Sequence, residues 1–220
     1  MKNTACILCL LFLSLVQRPP CVAQSNKADS LRALLARTAD RPTRLRLAFT
    51  LGKNLHHADS LDLYGKRLLD EGRKHREPLA TAYGERLLGD ADFYRLQYES
   101  AFGHYFRADS AFKAAGEDPE RLTVLSNGVY ALMLLGRYGD AIEWASTQME
   151  LSESLGNTDN AGQAARSIGD CLLKQKKFRE ALPYFYKSLA WEKQNNPQDL
   201  CCIQLAIVYE HLQMPDSARY

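Results

Sequence analysis

The sequence predicts an all-α solenoid of helical hairpins with roughly 40-residue repeats, and two observations carry that prediction. The first is composition: 34 Leu and 26 Ala stand against 5 Val and 5 Ile, so the apolar content sits in good helix formers and strand formers are scarce. The second is an internal echo. Leu96–Phe102, Leu135–Ile142 and Gln175–Leu182 each carry an aromatic, two polar or small residues, then alanine. A hydrophobic fraction of 46% and a charged fraction of 25% are too apolar for a disordered chain and too polar for a multi-span membrane protein. Collagen, mucin and disulfide-knot classes are excluded on the same composition.

The first segment reads as an address rather than as part of the fold. Lys2 precedes the apolar run Ala5 to Val16, and a proline-bearing stretch then leads to Cys21-Val22-Ala23-Gln24. That order is the one found in a secretory signal peptide, with small residues at the −1 and −3 positions for cleavage after Ala23. The run is 12 residues long, whereas a spanning helix needs about 20. Removing residues 1–23 takes Lys2 and Arg18 with it and leaves 26 basic residues against 26 acidic ones. The basic footprint of a nucleic-acid binder is therefore missing, and no nucleic-acid partner is expected. The expected location is the periplasm or cell envelope of a bacterium.

A short amphipathic helix, Ala28 to Thr38, is expected next as an N-terminal cap within residues 24–41. The repeating part is then read from 42 to 220. Matched positions are Leu61, Ala101, Ala141, Ala181 and Ala218, spaced 40, 40, 40 and 37. Twelve residues earlier in the same frame lie Phe49, Gly89, Val129, Gly169 and Ala206, mostly small. Four residues after the matched alanines stand Tyr105, Ala145 and Phe185, and three further Ala108 and Ser188.

These residues resemble the tetratricopeptide repeat: a small residue in the first helix, an aromatic at the turn, then alanine, aromatic and small residue along the second. The unit with Gly169, Phe178, Ala181, Phe185 and Ser188 fits best. The one holding Phe49 and Leu61 is degenerate. Small residues matter because two antiparallel helices approach to about 8 Å only where small side chains face each other. Units are expected near 42–77, 78–117, 118–157 and 158–196, with an incomplete one over 197–220.

Punctuation agrees with the period. Pro42, Pro78, Pro119 and Pro197 each stand ahead of a first helix, where a missing amide hydrogen costs nothing. Gly136-Arg137 and Gln175-Lys176 mark turns between paired helices, and Gly156-Asn157 closes a second helix. Helices are expected near 44–55, 60–75, 79–95, 98–115, 120–135, 138–155, 160–175, 178–195 and 198–212, with a bend at Pro183. Asp216 to Tyr220 begins one more second helix. That half hairpin implies either that the chain continues or that another subunit covers the last apolar face.

Candidate chemistry is sparse. His56 and His57 are adjacent, so on a helix they point about 100° apart and make a poor ligand pair. Of the cysteines that remain after cleavage, Cys171, Cys201 and Cys202, three fates are open: free buried thiols, one disulfide joining Cys171 to Cys201 or Cys202, or a zinc site. No G-x-S-x-G, H-E-x-x-H, P-loop or G-x-G-x-x-G occurs, so no enzyme and no cofactor is expected. Asp90 and Asp170 are read as helical ion pairs with Arg86 and Arg166 at i,i+4. Lys174, Lys176, Lys177 and Arg179 read as a solvated turn.

The resemblance implies a concave wall made of first helices. Carried onto this sequence, it puts Tyr83, Arg86, Asp90 and Tyr94, then Ser126, Asn127 and Tyr130, then Arg166, Asp170 and Lys174 on that wall. Exposed aromatics with paired charges suit a protein or peptide partner. The chaperone-tail subclass clamps a terminal carboxylate with Lys and Asn. Asp90 and Asp170 stand where it has Asn, which argues against that ligand.

The signal peptide, the D-S-L-x-x-L-L helix (Asp29, Ser30, Leu31, Leu34, Leu35) and the repeats together look like the periplasmic sensor region of bacterial membrane-bound signalling proteins of the sensor histidine kinase type. That resemblance implies a non-enzymatic protein-interaction module at the N-terminus of a longer signalling protein, reaching the membrane through a downstream segment. The rival readings are a free-standing periplasmic assembly scaffold and a small-molecule binder or enzyme using the groove carboxylates.

Overall fold

The computed structural model describes residues 20–55, 57–195 and 200–213. Residues 1–19, with most of the expected signal peptide, lie outside it. So do His56, Pro197 and the half hairpin expected over 216–220. The described residues form ten helices and no strand: α1 (Pro20–Arg37), α2 (Arg41–Asn54), α3 (Ala58–His75), α4 (Pro78–Tyr94), α5 (Tyr98–Ala115), α6 (Asp118–Leu134), α7 (Tyr138–Ser154), α8 (Thr158–Lys174), α9 (Phe178–Asn195) and α10 (Leu200–His211). Each packs mainly on its sequence neighbours, which is the quasi-one-dimensional order of a solenoid. First helices also touch the next first helix, as α2 does α4 and α6 does α8.

Helix starts follow the prolines. Pro42 and Pro119 occupy the first turns of α2 and α6, and Pro78 opens α4. Asp40 caps α2 by accepting from the Thr43 amide at 3.0 Å, and Asn157 caps α8 through Asn160 at 3.1 Å. The first helix differs from expectation, beginning at Pro20 instead of Ala28. Pro20 sits at the tolerated first position, and nothing between Cys21 and Asp29 breaks a helix. Helix α9 runs on through Pro183.

Helix ends obey a stricter period than the composition suggested. Positive φ falls at Arg76, Leu96, Gly116, Gly136, Gly156 and Lys176, at steps of 20 residues. At each, the following amide reaches back five residues: Glu77 to the Gly72 carbonyl at 3.0 Å, Gln97 to Asp92 at 2.9 Å, Glu117 to Phe112 at 3.0 Å, and so on to Lys177 and Leu172 at 2.9 Å. This is the left-handed cap that closes an α-helix, and the 40-residue repeat is two such 20-residue helix-and-cap units. Three caps lack the glycine that the conformation favours. Leu96→Gly and Lys176→Gly are each expected to raise stability by about 0.5–1 kcal/mol, whereas Gly136→Leu lowers it by a similar amount. Thermal denaturation checks both signs.

The matched small positions are helix contacts: Ala101, Ala108, Ala141, Ala181 and Ser188 are fully buried. Glycines in the first helices receive aromatic rings from the second. A Cβ on Gly89 would lie 2.7 Å from Tyr105, one on Gly128 2.6 Å from Trp144, and one on Gly169 2.6 Å from Phe185. Between hairpins, Gly65 and Gly84 let the α3 and α4 backbones meet. The buried core falls into clusters along the stack, with Tyr83, Tyr105 and Phe112 in the N-terminal one and Ile168, Phe185 and Val208 in a C-terminal one.

Candidate partner-binding groove

The helices α2, α4, α6, α8 and α10 line one face, and cavities open between neighbours on it. One of about 360 Å3 is bounded by Lys53 of α2, Arg86, Asp90, Phe93 and Tyr94 of α4, Tyr105 of α5, and Thr123, Asn127 and Tyr130 of α6. A second, about 480 Å3, lies between α6, α8 and α10 and includes Ser126, Asn127, Tyr130, Gln163, Arg166, Asp170 and Gln204. A third, about 530 Å3, is lined by Arg46, Phe49, Lys53, Tyr83, Glu117 and Glu120.

Asp90 is the polar centre of the first cavity. Its Oδ1 accepts from the Tyr105 hydroxyl at 2.9 Å and from Asn127 Nδ2 at 3.2 Å, which ties α4 to α5 and α6. Burial pushes its carboxyl above the usual range, against the pull of the Arg86 charge and the Tyr105 hydrogen bond. The expected Arg86 to Asp90 pair is not what forms. Arg86, with a side chain 3% exposed, donates through Nη1 to Glu120 of α6, and its guanidinium lies 4.8 Å from the Phe49 ring centroid. The i,i+4 rule describes an isolated helix surface, and here a neighbouring helix offers a carboxylate closer to the buried guanidinium.

Tyr83 also departs from expectation. It is 2% exposed, stacks on Phe49 at 4.5 Å and meets Phe112 edge-on at 5.4 Å, so it is a core residue whose rim alone reaches the groove. Burial, followed by the nearby Glu120 charge, pushes its phenol up to about 12. On this face the exposed aromatics are Tyr94 and Tyr130, at 59% and 55%, and Phe93 packs 5.5 Å from the Tyr130 ring.

In the second cavity Arg166 and Asp170 likewise form no ion pair. Asp170 Oδ1 is buried without a hydrogen-bond partner, as is Gln204 Oε1. Burial pushes the Asp170 carboxyl up to about 6, with the Arg166 and Lys174 charges pulling the other way. A raised carboxyl pKa means that the folded state holds its proton longer than the unfolded chain. Stability is therefore lost as pH rises from about 4 to about 6 and stays lost above. Asp170→Asn is expected to gain about 1–2 kcal/mol at pH 7 and nothing at pH 4. Denaturant melts at the two pH values check this, and an equal gain at both would contradict it.

Ser126 and Asn127 line the second cavity, whereas Lys174 is exposed at the end of α8. Lys53, Phe93, Thr123, Gln163 and Gln204 complete the wall and were missed by the sequence reading. Gln204 was within reach of it: Asn127, Ser167 and Gln204 stand at repeat-equivalent positions, spaced 40 and 37.

Among the described residues, Cys171 and Cys201 are buried, Cys202 is exposed, and the structure draws no disulfide between them. Cys171 is fully buried, which pushes its thiol up to about 12, and Cys201 is buried with Sγ 3.2 Å from Ser188 Oγ. Such buried thiols are unreactive. A dense ionic cluster outside the groove joins α4 to α5. Glu85 Oε2 lies 2.7 Å from His104 Nδ1 and 2.9 Å from Arg107 Nε. No group of three or more metal-ligating side chains occurs among the described residues.

With this geometry in place, similarity to known proteins can be stated. The family model Tetratricopeptide repeat matches residues 120–190. A comparison with curated proteins finds no match. Among solved structures, the fold is similar to BtubC (BKLC) from P. vanneervenii, with a TM-score of 0.71 at 14% identity over 90% of this chain and 84% of that one. It is also similar to aspartyl phosphate phosphatase F from Bacillus subtilis, with a TM-score of 0.69 at 18% identity over 88% of this chain and 55% of that one. YrrB, described as a TPR protein with an unusual peptide-binding site, gives a TM-score of 0.51 at 17% identity over 78% of this chain and 87% of that one. None of these indicates a catalytic family through sequence. The described helices have the tetratricopeptide-like solenoid fold, and residues 120–190 match the tetratricopeptide repeat in sequence as well.

Proposed function

We propose that this chain is a non-enzymatic interaction module that binds an extended polypeptide along the face of its first helices. The observation that carries this reading is the face itself: exposed Tyr94 and Tyr130 stand over cavities whose walls hold buried polar groups, an arrangement that anchors aromatic or charged side chains at intervals. The repeat match over 120–190 and the peptide-binding site named for YrrB support it. The test is selection of capped random peptides on the purified protein. Binders are expected, and the double variant Tyr94→Ala/Tyr130→Ala should weaken them about tenfold or more while leaving the melting temperature unchanged. An absence of binders, or binders indifferent to both tyrosines, would reject the reading.

We further propose that the module works in the bacterial cell envelope as the sensing region of a longer signalling protein. Supporting this are the signal-peptide order of residues 1–23 and the resemblance to periplasmic sensor regions carried by Asp29, Ser30, Leu31, Leu34 and Leu35. Among the described residues no helix is long and apolar enough to cross a membrane. Fractionation of cells expressing the full coding region tests the location: the expected result is a processed N-terminus in the envelope fraction, and an unprocessed chain in the cytosol would contradict it.

A further inference from the structure

Within the face proposed to bind polypeptide, the cavity between α6, α8 and α10 has a polarity of its own. Asp170 Oδ1 and Gln204 Oε1 both line it, both are buried, and neither has a hydrogen-bond donor. A carboxylate accepts only, and an amide oxygen accepts only, so the two define a place for N–H or O–H donors. The two cations on Asp170's own helix leave that place open: Arg166 and Lys174 act on the carboxyl through their charge, but neither comes within ion-pair distance. The exposed ring of Tyr130 stands on the same cavity wall and offers an aromatic face to a cation. An anionic group at this spot would meet two oxygens lacking donors. By contrast, the first cavity is walled by Lys53 and by Arg86, whose buried Nε lacks an acceptor. The two cavities thus differ in the sign of what they leave unsatisfied.

The geometry points to the α6, α8 and α10 cavity as a subsite for a lysine or arginine side chain of the bound polypeptide, with Asp170 and Gln204 accepting its N–H groups and Tyr130 covering its stem. This inference rests on the polypeptide-binding reading above and specifies one anchor within it. A basic side chain brings several donors on a flexible stem, so it can satisfy both oxygens at once where a backbone amide brings only one.

The experiment is a position-scanned set of short peptides, acetylated and amidated so that termini carry no charge, measured for affinity against the full chain and against Asp170→Asn and Gln204→Leu. One peptide position should prefer Lys or Arg over norleucine by about tenfold or more. Asp170→Asn should abolish that preference, and Gln204→Leu should reduce it. A second readout is the Asp170 carboxyl resonance across a pH titration: a basic peptide should lower its titration midpoint, and the norleucine counterpart should not. Peptides that bind with no basic preference, or with one unchanged in Asp170→Asn, overturn the subsite while the polypeptide reading stands. A preference for acidic side chains also overturns it and makes Arg166 the anchor. If no peptide binds the parent protein, the polypeptide reading fails and the subsite fails with it.

Discussion

Gly169→Val is expected to destabilise the protein by about 2–3 kcal/mol, because the added carbons meet the Phe185 ring, which already stands 2.6 Å from an ideal Cβ. Phe185→Ala alone should cost about 3–5 kcal/mol, since the ring is fully buried. Together the two substitutions should cost less than their sum by about 1–3 kcal/mol. The reason is in the neighbouring hairpin. At the repeat-equivalent positions it holds Val129 and Ala145, both buried in the same cluster, where the flanking hairpins hold Gly89 with Tyr105 and Gly169 with Phe185. Volume has been exchanged across the helix pair, large for small on each side. Trp144 packs on Gly128, one residue earlier on each helix. Denaturant unfolding of the two single variants and the double variant measures the coupling, and strict additivity would deny that these residues share one space.

A second large effect is expected between hairpins. Gly84→Val puts its Cβ 2.8 Å from the Leu69 amide nitrogen and 2.9 Å from the Gly65 carbonyl oxygen, both backbone atoms that cannot move without displacing α3. A loss of about 3 kcal/mol or more follows, which is a fall of about 6–12 °C in melting temperature for a chain of this size. Gly103→Ala is the matched control: on α5 the nearest atom to its Cβ is an Arg107 guanidinium nitrogen at 3.7 Å, so it should be neutral or gain up to about 1 kcal/mol. If Gly84→Val is as harmless as Gly103→Ala, the α3 and α4 backbones do not meet at Gly65 and Gly84.

How far the sequence could see depends on whether a feature is written along one helix or between several. The 40-residue echo and the buried alanines were legible, because helix contact demands small residues at fixed positions in every unit. Gly136 and Gly156 announced two of the caps. Gln175-Lys176 announced a third without a glycine, whereas Arg76 and Leu96 hid two others, since the hydrogen bonds of the cap hold even residues that disfavour positive φ. At Val129 the frame holds with a larger residue, and the paired position carries Ala145 where the flanking hairpins carry Tyr105 and Phe185. The groove fared worse for the same physical reason. Arg86 was paired with Asp90 by the spacing of a single helix, but the side chain crosses to Glu120, and Tyr83 turns inward onto Phe49 from α2. Which way a side chain leaves a helix is decided by the helices beside it, and a one-helix rule carries no term for them. Tyr94, Tyr130 and Asp170 line cavities that neighbouring hairpins share.

Amide hydrogen exchange of the full chain with and without a selected peptide tests the central claim most directly. The account predicts slowed exchange in α4, α6 and α8, around Asp90, Tyr130 and Asp170, with α5, α7 and α9 unchanged. Protection centred on α5, α7 and α9 would contradict it and move the binding surface to the opposite side of the solenoid.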